Sequence, residues 1–446
     1  MNTPLARRTL LAYSLTDLPV MLSLFPVLVF VPRFYSSELA IPVALVGTVM
    51  LVVRLMDVVT DPLMGWISDH SRTRFGRRKP WVALAAPILM VSIYQLFLPP
   101  PDAGWEHLLV WSALLSIGTT MMLIPYYAWG AELSTDYNER SRIAGARAMA
   151  GVIGSLLAQV VPALALFFFA IGGSESVLRI VGITMLILTP LCVIITLLGT
   201  PEPPSTRPST LPMLPGLKLM ARNQAFRLLV LSFSLGQIGL TITTPLYLFF
   251  VADWLHAEDR AIYMLTLFYL CNLLSIPGWV ALARRVGKHR SYLTAFVLIA
   301  IAHPCYLLLG EGQFWEMIPI TILSGAAAGG FSQSMPNAMK ADVIDLDTLE
   351  SGENRAALFF SAWSFAQKLM GSFGNAIAMY GLAFIGYNAA LGSANDPDAL
   401  FGLRAMFSSL PAVFFLAGAI TVWRYPITEA RHQEIRTALA DRALRS

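Results

Sequence analysis

Long apolar runs separated by short polar stretches follow one another from end to end of the chain. Each run approaches the ~20 residues that a helix needs to cross hydrocarbon, and several hold Gly and Pro, which membrane helices tolerate. The pattern predicts twelve spans, at about 10–33, 42–68, 80–98, 106–131, 147–171, 178–199, 225–252, 261–282, 291–309, 316–339, 357–385 and 402–424. Continuous runs of this length are unlike the alternating strands of a β-barrel, so an all-α membrane protein is expected.

Composition points the same way. Of 446 residues, 56% are hydrophobic and 13% charged, which is too apolar for an ordinary soluble domain. The net charge of +4 is dispersed and gives no reason to expect a nucleic-acid partner. Cys192, Cys271 and Cys305 all fall in apolar runs, where they fit as small buried side chains rather than as a disulfide or metal set. Arg7 and Arg8 precede a stretch containing Asp17 and Pro19, which suits a first span better than a cleaved leader.

The distribution of charge sets an orientation. Arg72 to Lys79, then Arg140 and Arg142, then Arg284, Arg285, Lys288 and Arg290 occupy alternate connections. The intervening ones carry mostly Asp and Glu. The positive-inside bias therefore places both termini in the cytoplasm, in a bacterial-type inner membrane. Residues 201–210 are polar and proline-rich, as a linker would be. The expected organisation is a six-helix bundle over 1–199, a cytoplasmic linker over 200–224, a second six-helix bundle over 225–426 and a cytoplasmic tail over 427–446. Gly65-Trp66 leading to Arg77 is echoed by Gly278-Trp279 leading to Arg284, each after the second span of its half, as a duplicated bundle would show.

Charged residues inside apolar spans are functional candidates by default. Arg54 and Asp57 are three residues apart and Asp57 and Asp61 four apart, so one helical face can hold all three. Two carboxylates sharing a low-dielectric site suit reversible occupation by a proton or sodium; a permanent interhelical salt bridge is the structural alternative. Asp17 and Arg147 form a second candidate pair, able to accept from and donate to a polyhydroxylated solute. Tyr126, Tyr127 and Trp129 are candidate walls for a sugar face, and Gln367 and Lys368 candidate polar contacts from the second half, although aromatic residues also serve packing. Arg54, Asp69, Arg77, Glu132, Arg140, Arg142, Asp342, Asp345 and Arg355 are candidate gating charges, able to pair in one state and separate in another.

Through the loop Gly65 to Lys79 the chain resembles the major facilitator superfamily. Through Asp17, Arg54-Leu55-Met56-Asp57 continuing to Gly65, Asp136 to Arg140, Ala341 to Asp345 and Trp363 to Lys368, it resembles more narrowly the glycoside-pentoside-hexuronide:cation symporters, the melibiose-permease-like family. The resemblance covers essentially the whole chain. It implies the major facilitator fold, twelve transmembrane helices in two pseudosymmetric six-helix bundles, with no catalytic residues, no structural metal and no cofactor beyond a coupling ion. It assigns cation binding to Asp57, Thr60 and Asp61, glycosyl binding to Asp17 and Arg147, and a central-cavity position to Lys368. The family's sodium-coupled sugar permeases carry a further acid where this chain has Leu123. Leu123 offers sodium no oxygen, while protonation needs only one carboxylate, so H+ is the favoured coupling ion and Na+ the alternative at Asp57 and Asp61.

The expected partners are a small-molecule solute, a sugar or glycoside, together with the coupling cation and membrane lipids, and the expected functional unit is a monomer. Cation-driven uptake is the leading reading. The alternative is transport of an amphipathic or lipid-like solute on the same fold. A membrane enzyme is disfavoured, because the sequence offers neither metal-spaced histidines nor a nucleophile-base set.

Overall fold

The computed structural model describes residues 5–134, 137–202, 223–351, 356–427, 429, 431–435 and 437–438. Among them the secondary structure is helical, with one isolated bridge between Thr73 and Gly76. Eleven helices among the described residues are long and apolar enough to cross a membrane. Apolar length forces this architecture, since lipid offers backbone N–H and C=O groups no partner outside the helix itself.

The chain divides into two compact units. The first holds residues 1–209 with 258–263 and 388–394, and the second holds 210–257, 264–387 and 395–446.

The first unit contains α1 (Arg7–Ser14), α2 (Asp17–Ser37), α3 (Val43–His70), α4 (Lys79–Phe97), α5 (Trp105–Glu132), α6 (Tyr137–Phe169) and α7 (Ser174–Gly199). Helix α2 packs on α6 and α7, α4 on α5 and α7, and α3 on α5. Small residues set the closest approach: a Cβ at Gly154 of α6 would stand 2.1 Å from the Leu18 carbonyl oxygen of α2. Helix α6 begins ten residues before the expected start at 147, because the polar stretch around Glu139 and Arg142 continues the same helix beyond its apolar part.

The second unit contains α8 (Gln224–Asp253), α9 (Ala261–Val286), α10 (Lys288–Ala302), α11 (Ile318–Ala328), α12 (Met335–Ser351), α13 (Ala356–Phe384), α14 (Pro397–Ser408) and α15 (Leu410–Trp423). Helix α8 packs against α13, α14 and α15 around a buried core that includes Phe233, Phe296, Phe331, Phe359, Trp363 and Phe415. The span expected at 316–339 is interrupted. Helix α11 passes into one wide π-helical turn, Gly329–Ser334, and then into α12. Gly329 and Gly330 lie directly against Ser275 and Trp279 of α9, a contact that larger side chains would block. The span expected at 402–424 is likewise two helices, parted at Ser409 just before Pro411.

Candidate functional site

The first unit buries a charged network of the kind ion coupling needs. Asp57 is 4% exposed on α3, and the Arg54 guanidinium lies 3.4 Å from its Oδ2. Helix α5 supplies what the sequence reading missed. Ser116 donates to Asp57 Oδ1 in a short hydrogen bond, and Thr120 donates to Asp61 Oδ1 at 2.9 Å. Two hydroxyls four residues apart on α5 thus face two carboxylates four apart on α3, one rung each. That equal spacing in the second and fourth spans was the available signal. Thr60 Oγ1 is buried with no hydrogen-bond partner. Carboxylates, paired hydroxyls and one unused hydroxyl form an oxygen set that suits a proton or a small hard cation. Pro62 lacks the N–H that would bond the Val58 carbonyl, so the helix ladder is broken beside Asp61. Arg54, expected among the gating charges, pairs with Asp57 in this cluster, as the three-residue spacing allows.

The second group joins α2, α5 and α6. Asp17, 4% exposed, opens α2 immediately after the break that ends α1. Its Oδ1 accepts from the Tyr127 hydroxyl at 3.2 Å, and Arg147 Nε lies 3.7 Å from Oδ2. The Arg147 guanidinium also stacks 3.7 Å above the Tyr127 ring. Arg147 Nε is buried without a hydrogen bond, a donor left over beside a carboxylate. Asp17, Tyr127 and Arg147 therefore stand together as expected.

Tyr126 and Trp129 do not join them. Both are 0% exposed: Tyr126 stacks on Tyr13 and donates to its backbone oxygen, while Trp129 Nε1 donates to the Pro201 carbonyl at 2.9 Å. Successive residues point around a helix, so Tyr127 faces the polar group while its neighbour and Trp129 are used in packing. Neither of the two presents a ring as a wall for a solute.

At the helix ends, Arg78 is 3% exposed and binds Asp69 at 2.6 Å and Glu132 at 2.7 Å. Arg77 reaches the same Glu132 oxygen at 2.6 Å. Burial would raise the Glu132 carboxyl, but the hydrogen bonds from Arg78 and Arg77 outweigh it and hold it below its ordinary value. Glu202 completes the cluster, its Oε1 accepting from the backbone N–H groups of Arg77 and Arg78 at 2.6 and 2.7 Å. The first residues of the linker are thereby fixed to the turn at Gly76, whose φ of 103° suits glycine.

Arg142 pairs with Glu139 on its own helix at 3.1 Å, and that carboxylate also accepts from the Leu5 backbone N–H, so this pair clips the N-terminal arm. The Arg140 side chain, Arg355 and Asp136 lie outside the described residues. In the second unit Gln367 and Lys368 are exposed on α13. Asp342 binds Lys288 at 2.6 Å, and both Asp342 and Asp345 engage His432, a residue the sequence reading did not single out.

Residues 12–429 match the family described as MFS/sugar transport protein, and the chain belongs to that family. It is a membrane transport protein rather than an enzyme. It is 26% identical to the isoprimeverose transporter of Lactiplantibacillus pentosus, over 93% of this chain and 88% of that protein. It is 24% identical to the sodium-dependent lysophosphatidylcholine symporter 1 of Gallus gallus, over 88% of this chain and 81% of the relative. Its fold matches the crystal structure of a bacterial homolog of the human lysosomal transporter Spinster in an inward-facing, occupied conformation. That match has a TM-score of 0.67 at 15% identity and covers 93% of this chain and 95% of that one.

Proposed function

We propose that this protein is a secondary active symporter of the glycoside-pentoside-hexuronide:cation type, coupling inward movement of a cation to uptake of a glycoside or related polar solute by alternating access. The observation that carries the proposal is the double rung between α3 and α5, where Ser116 and Thr120 serve Asp57 and Asp61. A carboxylate pair, one member buried and the other half-buried, gains most from a cation when the surroundings are dry, so occupancy and closure of the site favour each other. A proton is the favoured ion. Sodium is the alternative, and the unpartnered Thr60 hydroxyl supports it. Asp17, Tyr127 and Arg147 form the solute-binding group of the first half, and Gln367 and Lys368 are the solute-binding residues of the second. Asp69, Arg77 and Glu132 are the cytoplasmic gating charges of the first half, and Asp342 and Asp345 those of the second.

The proposed setting is an inner membrane of bacterial type, with two six-helix bundles over 1–199 and 225–426, the linker over 200–224 and both termini in the cytoplasm. Cysteine accessibility tests this orientation: labelling at 201–210 from outside contradicts it.

A second reading is supported by the likeness to a lysophosphatidylcholine symporter and by Leu123, which makes the α5 face less polar than an acid would. On that reading the solute is amphipathic. Vesicles containing the purified protein decide between the two when challenged with glycosides, pentosides, uronates and lysolipids under inward proton or sodium gradients. Accumulation of a glycoside supports the first reading, accumulation of a lysolipid alone supports the second, and gradient-independent uptake of every compound contradicts symport.

A further inference from the structure

The first span is broken immediately before its carboxylate. Helix α1 ends at Ser14 and α2 starts at Asp17, and between them Leu15 and Thr16 form a turn in which the Leu18 N–H donates to the Leu15 carbonyl at 3.2 Å. An unbroken helix would pair the Ala12 and Tyr13 carbonyls with the N–H groups of Thr16 and Asp17. Here side chains of two other helices reach both carbonyls. Thr196 of α7 donates to the Ala12 carbonyl at 2.6 Å and accepts from the Thr16 hydroxyl at 2.9 Å. Tyr126 of α5 donates to the Tyr13 carbonyl at 2.7 Å.

The contact with α5 is reciprocal. The Tyr13 hydroxyl donates to the Tyr126 carbonyl at 2.9 Å, and the two rings stack with centroids 4.5 Å apart, both buried. Gly130 makes room for it, since a Cβ there would collide with the Tyr13 hydroxyl. Helix α5 is itself weakened at this point, because Pro125 has no N–H to give the Met121 carbonyl.

We propose that Tyr13 and Tyr126 are positioning residues, a reciprocal clasp that sets how Asp17 meets Tyr127 and hence where the Arg147 guanidinium lies, an inference that rests on reading those three residues as the solute-binding group. Tyr13 stands four residues before Asp17, and Tyr126 directly precedes Tyr127. The clasp therefore fixes the backbone on both sides of the 3.2 Å hydrogen bond from Tyr127 to Asp17. The stack of Arg147 on the Tyr127 ring, at 3.7 Å, depends in turn on the direction in which α5 presents that ring. Packing alone asks only for an apolar ring at each of the two positions. Two hydroxyls, each given to the carbonyl of the other helix, fix a register and a rotation that a pair of phenylalanines would leave loose.

The Nε–H resonance of Arg147 reads this stack without any solute, in the purified full-length protein in detergent, with isotope-labelled arginine and assignment through Arg147→Lys. The Tyr127 ring current displaces it from the region of free arginine side chains. Tyr13→Phe and Tyr126→Phe keep both rings and remove one hydrogen bond each, and either should move the resonance toward the free region. Tyr35→Phe is the control. It removes a buried hydrogen bond of the same kind, from its hydroxyl to the Leu96 carbonyl at 3.1 Å, and should leave the resonance in place. Helical melting shows that each variant is folded before its spectrum is read. Binding of the solute that the vesicle screen identifies should weaken about three- to tenfold in Tyr13→Phe and in Tyr126→Phe, the worth of one hydrogen bond. A resonance unmoved in both variants, an equal movement in Tyr35→Phe, or unchanged solute binding in both variants overturns the proposal. Failure of the unmodified protein to bind any solute counts against the solute reading alone, and the resonance then decides the clasp.

Discussion

Thr120 of α5 donates to Asp61 of α3 at 2.9 Å, one helical turn from the place where Ser116 donates to Asp57. The hydroxyl stabilises the unoccupied, charged carboxylate, and losing such a hydrogen bond costs on the order of 1.5–3 kcal/mol. Thr120→Val should therefore lower the cation concentration for half-maximal uptake by about tenfold or more, since 1.4 kcal/mol is about tenfold. Thr120→Ser should restore most of it. Unchanged cation dependence in Thr120→Val would show that the rung is packing alone.

Arg147 is held by geometry as much as by charge. It stacks on Tyr127 at 3.7 Å and sits 3.7 Å from Asp17. Lysine keeps the charge but loses the planar fork and the stack. Arg147→Lys should weaken solute binding by about tenfold or more, and Tyr127→Phe, which keeps the ring and the stack but loses one hydrogen bond to the Asp17 carboxylate, should cost on the order of 1.5–3 kcal/mol. Binding isotherms for the two variants check both losses.

Helix α6 reaches α2 only because Gly154 has no side chain. A methyl group there would meet the Leu18 carbonyl at 2.1 Å, and backbone cannot move aside cheaply. Gly154→Ala should lower the melting temperature by several degrees, an overpacking cost of about 1–3 kcal/mol, and should weaken solute binding through the displaced Asp17. Stability and binding measured on one preparation test whether the two losses travel together.

The Glu132 cluster should be insensitive to pH across the physiological range. Its carboxyl is held below the ordinary value of about 4.3, so the stabilisation it gives is present above that pH and is lost only as pH falls through the lower folded value. Glu132→Gln should reduce stability alike at pH 6 and pH 8, by an amount on the order of the 3–5 kcal/mol found when one partner of a buried pair is removed, less what solvent screens. Thermal melts at both pH values measure it; a loss confined to one of them contradicts the assignment.

The apolar runs were legible because lipid leaves backbone groups only the helix, so length and hydropathy suffice to find a span. What they could not show was where a helix breaks without losing its apolar character, as at Gly329–Ser334 and Ser409, since those breaks depend on contacts with α9 or on one proline. The same limit applied to the site. Asp57, Asp61 and Asp17 stood out because a carboxylate in an apolar run is expensive. Ser116 and Thr120 did not, because a hydroxyl in a membrane helix usually bonds its own backbone, and only the packing of α5 on α3 turns these two outward to the acids. Tyr126 and Trp129 differ from Tyr127 by rotation around the helix axis, which residue type alone does not reveal.

The central claim is that Asp57 and Asp61 couple cation occupancy to solute movement. In vesicles containing the purified protein, with the solute that the gradient screen identifies, accumulation and counterflow should be measured for the unmodified protein, Asp57→Asn and Asp61→Asn. Both variants should lose gradient-driven accumulation while retaining counterflow, because the amide keeps hydrogen bonding but cannot exchange a charge. Normal accumulation by both variants under proton and sodium gradients would contradict it.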